Sequence, residues 1–410
     1  MTGSDAVSLP DAASDRALDR VIRAESARIV ASLTASLGNL DLAEEAVAEA
    51  VVEALVEWRA KGVPPNPAGW LTIAARHNAL DRLRRDKRYR QKLEILAADP
   101  SPSDGEIDER LPLLFGCCHP ALTESAQLAL TLRAVCGLTT EQIARATVST
   151  PTAVGQRIVR AKRKIGAAGI PLRVPVGAER SPRLDLVLTV ISVMYNEAHL
   201  LAGGGAEADR DVAEDALWLA DVVARALPDE PEALGLVALL KFHRSREGAR
   251  SLGRDLVLLA DQDRSRWDEK LQDEARRALE RAASLRRPGR WQLQAAIAAC
   301  HADASHFAET DWPQIVVLYD MLREYDPSPV VRLNRAVALG EIGEAETALV
   351  EVEALREELE RFHLWHAVRA DLLRRLGRDE EAVTSLHEAH ELTKNDAERR
   401  LLRARGGIDL

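Results

Sequence analysis

The residues most able to do chemistry lie in two basic clusters and a scatter of histidines and cysteines. Thr150-Pro151 opens a stretch whose Val154, Ile158, Ala161 and Ile165 recur at offsets of 4, 3 and 4. That is the stripe of a helix with one buried side. Thr152, Ala153, Gln156, Arg157, Arg160, Arg163 and Lys164 fall outside it. Arginine and glutamine projecting from one helix can make paired hydrogen bonds to base edges in a duplex groove. Just upstream, Thr139-x-x-Gln142 is a capping box for a shorter helix, TEQIARA, and a break follows at 147–149. Thr150 then caps the second helix, and Pro151 sits in its first turn, where a missing N–H costs nothing. Two short helices about a tight turn, the second basic, describe a helix-turn-helix whose second helix enters the major groove.

The other basic cluster is NPAGWLTIAARHNALDRLRRDKRYRQK (66–92). Asn66 and Pro67 read as its cap and first turn. Trp70, Leu71, Ala74 and Leu80 read as its apolar face. Arg76, Arg82, Arg84, Arg85, Lys87, Arg88, Arg90 and Lys92 face only Asp81 and Asp86. Such a density suits phosphate contacts, which give affinity without sequence information.

The remaining reactive residues carry little. Cys117 and Cys118 are adjacent, which is not the C-x₂₋₄-C spacing of a zinc site, so buried thiols are expected there and at Cys136 and Cys300. His363-x-x-His366 and His387-x-x-His390 share helical faces but form no H-E-x-x-H motif. No phosphate-binding P-loop and no nucleophile elbow occurs. No catalytic residue, cofactor or metal is expected.

These residues need elements to position them, and composition says the elements are helices. Apolar residues make up 46% of the 410, but aromatics only 4%. Ala, Leu, Arg and Glu dominate, and they lose little on entering a helix. The net charge of −10 is unevenly spread: residues 1–175 carry +2 and residues 176–410 carry −12. The first part therefore suits an anionic partner despite the overall sign. No apolar run suits a membrane span and the N-terminus has no signal core, so the expected location is the cytoplasm.

Helical spacing runs through 15–60 with an interruption at Gly38-Asn39. AADPSPSDGEID (97–108) reads as a flexible linker. Helices resume at 110–168, and Pro171, Pro175 and Pro182 mark a junction before an acidic, wholly helical remainder. That remainder contains a repeat: Arg335/Arg369, Ala336/Ala370, Leu339/Leu373, Gly343/Gly377 and Ala348/Ala382 are each 34 residues apart. Thirty-four is the period of a tetratricopeptide-type helix pair. Segments 290–301 and 312–324 look like degenerate members.

Taken in order, LAEEAVAEA (42–50), Pro67-x-x-Trp70-Leu71 leading to Asp81-Arg82-x-Arg84-Arg85, a Pro/Asp linker, and a helix-turn-helix ending in RIVRAKRKI resemble the extracytoplasmic-function sigma factors of the sigma-70 family. DQDRSRWDEKL (261–271), WQLQAAIAACHA (291–302) and the repeats resemble the sub-group with a C-terminal tetratricopeptide-like domain. The resemblance implies an all-α chain: a sigma-2 domain at 15–95, a linker at 96–109, a sigma-4 helix-turn-helix domain at 110–170 and an irregular helical-repeat domain at 183–410. It implies that the acidic helix bearing Glu44, Glu45 and Glu49 meets core RNA polymerase, whose β and β′ subunits are the expected partners. Trp70, Arg76, His77, Asn78, Arg82, Arg84, Arg85, Lys87 and Arg88 would contact and open the −10 element of promoter DNA. Thr152, Ala153, Gln156, Arg157, Arg160 and Lys164 would read the −35 element. His77 stands where many members carry asparagine, and it can also donate and accept hydrogen bonds. The C-terminal repeats would bind a protein or peptide, with Asp261 to Trp267 and Asp311-Trp312 as places where charge and aromatic rings meet. A second reading, a one-component helix-turn-helix regulator with a sensing repeat domain, leaves the basic helix at 76–92 without a task.

Overall fold

The computed structural model describes residues 9–85, 110–147, 149–201, 212–252, 255–393 and 395–406. The fold is all-α; among the described residues the exception is a two-stranded hairpin pairing Ser251–Leu252 with Asp255–Leu256. It divides into two compact units, residues 1–193 and 194–410. The division falls inside a helix, Arg180–Leu201, beyond the proline-marked junction.

The first unit begins with α1 (Leu9–Leu37), α2 (Leu40–Lys61) and α3 (Pro67–Arg85) packed on one another. The break expected at Gly38-Asn39 is there: Gly38 takes φ +63°, and the Asn39 side chain accepts from Leu42 N–H at 3.2 Å to start α2. Buried Ala43, Ala46, Ala50 and Ala54 run along α2. Small residues let the neighbouring helices approach closely. In α3 the cap is Asn66, whose Oδ1 accepts from Gly69 N–H at 2.9 Å. The buried stripe of α3 is Leu71, Ala75, Ala79 and Leu83. Trp70, Ala74 and Leu80, expected on that face, are only half-buried. Trp70 instead meets Trp58 edge-on, ring centres 5.6 Å apart. The reason is geometric: the offsets of four from Leu71 define the line of closest approach, and Trp70 flanks it.

The same unit continues with α4 (Arg110–Cys117), α5 (Glu124–Ala134), α6 (Thr140–Ala146) and α7 (Pro151–Ala168). α4 packs on α1 and α5, and α5 and α6 both pack on α7. Thr139 and Gln142 form the reciprocal capping box, with bonds of 3.2 and 2.8 Å. Thr150 caps α7 through Ala153 N–H at 3.2 Å. Val154, Ile158, Ala161 and Ile165 are the buried residues of α7. Cys117, Cys118 and Cys136 are buried thiols outside any disulfide. α8 (Arg180–Leu201) follows.

In the second unit, α9 (Val212–Ala226) and α10 (Pro231–Ser245) precede the hairpin and a run of short 3₁₀ turns. Then come α11 (Glu269–Ser284), α12 (Arg290–Asp303), α13 (Trp312–Leu322), α14 (Pro329–Glu341), α15 (Ala345–Glu353), α16 (Arg356–Leu359), α17 (His363–Arg375), α18 (Asp379–Leu392) and α19 (Asp396–Gly406). From α12 to α15, and again from α17 to α19, each helix packs on the next, while α15 also packs on α17. The 34-residue offset relates two helix pairs, α14–α15 and α17–α18. Gly343 at φ +89° and Gly377 at φ +71° make the turn in each. Glycine is needed there because other residues resist positive φ. The paired arginines have matching duties. Arg335 donates to Asp320 at 2.7 Å and to Glu351 at 2.7 Å; Arg369 donates to Glu353 at 2.6 Å and to Ser385. Glu351 and Ser385 each lie sixteen residues beyond their arginine.

Candidate nucleic-acid interface

The exposed side of α7 carries Thr152, Gln156, Arg160, Arg163 and Lys164. Arg160 donates to Gln156 Oε1 at 3.0 Å, so two groups able to read base edges are held side by side. Ala153 and Arg157 are half-buried, and Arg157 donates to Ser149 Oγ at 3.2 Å, reaching back to the turn between α6 and α7. The helix thus presents a cationic ridge with its apolar stripe turned inward. Its N-terminus, where a recognition helix meets bases, is the end bearing Thr152 and Gln156.

On α3, His77 is exposed, while Arg76 and Asn78 are half-buried. Arg84 is exposed and pairs with Asp81 at 2.9 Å. Arg85 closes the helix. Lys87 and Arg88, together with the expected linker at 97–108, lie outside the described residues.

Arg82 behaves differently from its neighbours. It donates to Glu49 at 3.1 and 2.6 Å and also to Glu45. Its hydrogen bond to Glu49, with the charge of Glu45 added, raises its pKa above the ordinary arginine value. Two residues expected to face polymerase and one expected to face DNA therefore neutralise one another across α2 and α3. The third acid, Glu44, accepts from Lys162 at 2.5 Å, and Lys162 also reaches Asp41 at 3.1 Å. Burial opposes the Lys162 charge, but Glu44 and Asp41 outweigh it and leave its pKa raised.

Sequence reasoning missed Lys162. It follows Ala161, so it sits at the margin of the buried stripe, where a long side chain can lie along apolar surface and extend its charge elsewhere. That position was the available signal.

Comparison with known proteins adds to this geometry. Residues 113–165 match the family described as Sigma-70, region 4, which spans the helix-turn-helix. Residues 183–283 match a family of unknown function, DUF6596. The chain is 41% identical over 377 residues to the uncharacterized protein R00370 of Rhizobium meliloti (strain 1021), covering 89% of each. This chain belongs to the R00370 family. In the R00370-family chain, the ridge of α7 is accordingly the exposed side of a sigma-70 region 4 helix-turn-helix, a module of sigma-factor-like DNA binding.

The histidine pairs do not converge on a site. His363 pairs with Glu398 at 3.1 Å and holds that carboxyl below its usual range. His366 bonds the Glu360 carbonyl at 2.7 Å, and His390 is buried. Among the described residues, no group of three or more His, Cys, Asp or Glu side chains could hold a metal, and no helix is long and apolar enough to cross a membrane. Trp267 is buried, and Trp312 is half-buried against His301 and Phe307, so both rings are occupied in packing.

Proposed function

We propose that this chain is a sigma factor of the extracytoplasmic-function type, acting in the cytoplasm without a catalytic site of its own. It binds core RNA polymerase through the acidic helix α2, reads the −35 element with α7 and contacts the −10 element with α3. The observation that carries the reading is the region 4 match lying on a helix-turn-helix whose exposed ridge holds Gln156, Arg160 and Lys164. The basic α3 beside an acidic α2 supports a second, polymerase-proximal module, which a simple repressor does not need. On this reading residues 15–95 are the sigma-2 domain, 110–170 the sigma-4 domain and 183–410 a tetratricopeptide-like domain that modulates activity and offers a surface to a protein or peptide.

Division of labour follows from side-chain chemistry. Arginine and glutamine can bond base edges in pairs and so discriminate sequence. Arginines around an exposed polar segment hold phosphates while a base leaves the stack, at a cost of a few kcal/mol. The test is reconstitution: the purified chain with core polymerase forms a complex on gel filtration and starts run-off transcripts at discrete promoters. Absence of any complex with core polymerase sinks the reading.

A further inference from the structure

We propose that the corner formed by Arg246, Arg264, Trp267 and His301 in the second unit is a binding site for a small oxyanion, a phosphate or a carboxylate. The site goes beyond the promoter-reading role and does not depend on it.

The local sequence builds the corner stiffly. Asp263 Oδ1 accepts from Ser265 N–H at 3.0 Å and from its hydroxyl at 2.6 Å, fixing a tight 3₁₀ turn. The turn delivers Arg264 and the buried Trp267 to the same place. Arg246, just past the end of α10, reaches the same ring. The two guanidinium carbons lie 4.9 Å (Arg264) and 5.2 Å (Arg246) from the centre of the Trp267 ring. An aromatic ring attracts one cation well. Two cations on one ring repel each other, and Arg250 adds a third charge to the field at Arg246.

Such a cluster ordinarily includes a carboxylate, because a partly buried charge without a counter-charge is costly. Here the nearby acids are engaged elsewhere or only approach. Asp263 is turned into its own turn. Glu309 acts on Arg264 through its field, with no ion pair between them among the described residues. Arg246 donates through Nε to the neutral Gln262 Oε1 at 3.4 Å, and Gln262 gives its own amide to Val257 O at 3.1 Å. Arg264 donates to the carbonyls of His301 and Ala304 at the end of α12, and weakly to Thr310 Oγ1 at 3.4 Å.

The other polar atoms of the corner point the same way. Trp267 Nε1 and His301 Nδ1 are buried without a hydrogen-bond partner. An indole N–H can only donate. Burial, with Arg246 and Arg264 beside it, pushes His301 down to about 4, so it stays neutral. Burial likewise lowers Arg246 to about 10. The corner therefore holds surplus positive charge and an unmatched buried donor, and an oxyanion supplies both the charge and the acceptors. Guanidinium groups match the geometry of phosphate and carboxylate alike.

The test uses the full-length chain, with thermal unfolding and tryptophan fluorescence followed during titration at constant ionic strength in a chloride background. One arm adds inorganic phosphate and the other adds acetate. The expected result is a saturable rise in Tm with one or both anions; the arm that saturates identifies the source. In Arg246→Gln that rise disappears, while the anion-free Tm is unchanged or higher because the uncompensated charge is gone. Trp267→Phe, which keeps an aromatic ring but removes the indole N–H, weakens the anion response. Arg281→Ala, on the exposed side of α11 and outside the corner, leaves it intact. Unsaturating responses to both phosphate and acetate overturn the proposal. So does a rise that survives in Arg246→Gln, and so does an Arg246→Gln chain that fails to fold in chloride while Arg246→Lys folds but shows no saturable response.

Discussion

Lys162 of α7 and Glu44 of α2, 118 positions apart, meet at 2.5 Å, with the lysine side chain only 13% exposed. Two modules that the sequence separates by a linker are thus joined by an ion pair inside one unit. The −10 and −35 elements, as their names say, lie about 25 base pairs apart, or roughly 80 Å at 34–36 Å per helical turn. A chain holding Lys162 on Glu44 cannot span that distance, so on the sigma-factor reading the pair must break when polymerase is bound.

Lys162→Ala is therefore expected to loosen the first unit and favour the extended form. A partly buried pair of this kind contributes about 1–2 kcal/mol, or roughly five- to thirty-fold in population. Distance measurements between labels on α2 and α7 should lengthen, and affinity for core polymerase should rise by a similar factor, since a closed population reduces apparent affinity. Unchanged distances would show that the pair contributes nothing to closure.

If α7 reads the −35 element and α3 holds phosphates, as proposed, substitutions on the two helices should fail in different ways. Arg160→Ala, and Gln156→Ala beside it, remove base-reading groups; each is expected to cost about 1–3 kcal/mol and relax preference within the −35 element. Arg84→Ala removes a phosphate contact, weakening binding evenly across sequences and lowering the salt slope by about 1. Binding titrations across salt concentrations and promoter variants separate the two patterns. Identical losses on every sequence for all three variants would count against distinct roles.

Glycines separate by what surrounds them. A Cβ at Gly235 of α10 would lie 2.7 Å from the backbone nitrogen of Gln292 in α12. That backbone is held in place, because the Glu232 carboxylate accepts from Trp291 N–H at 2.9 Å and Gln292 N–H at 3.2 Å. Gly235→Ala is expected to destabilise the second unit by about 1–3 kcal/mol or more through overpacking. Gly155 of α7 has open space around its Cβ position. Gly155→Ala should stabilise by about 0.5–1 kcal/mol. Chemical denaturation of both variants checks the contrast.

His301 predicts a pH dependence. Its folded value is pushed down to about 4 by burial and by Arg246 and Arg264, below the ordinary 6.5. The unfolded chain then binds the extra proton first. Stability from this group is complete above about pH 6.5 and is lost as pH falls toward 4, amounting to about 3 kcal/mol. His301→Gln should flatten that part of the stability profile between pH 7 and 4. A profile that keeps its slope places the acid sensitivity elsewhere.

Much of the first unit was legible because its signals are local. The capping box at Thr139 and Gln142, the Thr150-Pro151 start, the stripe Val154–Ile158–Ala161–Ile165 and the stop at Gly38-Asn39 each lie within a few residues of what they specify. The 34-residue offset was legible for a related reason: Gly343 and Gly377 are required by turns of the same geometry, and Arg335 and Arg369 by the same ion-pairing position. Only the tertiary structure decided which charges are spent. Arg82 read as a phosphate contact and Glu45 and Glu49 as a polymerase surface, yet they bind each other because α2 and α3 pack side by side. Trp70 lost its place on the core face to Ala75 and Ala79, since the small residues let the helices close. Asp261 to Trp267 stood out as charge beside an aromatic ring, but that Arg246 and His301 join it left no trace in sequence spacing, because the corner brings a turn to two helix ends by way of the fold. Short-range caps and stripes are written into consecutive residues; the balance of charge at a site depends on which distant side chains the packing brings within a few ångströms.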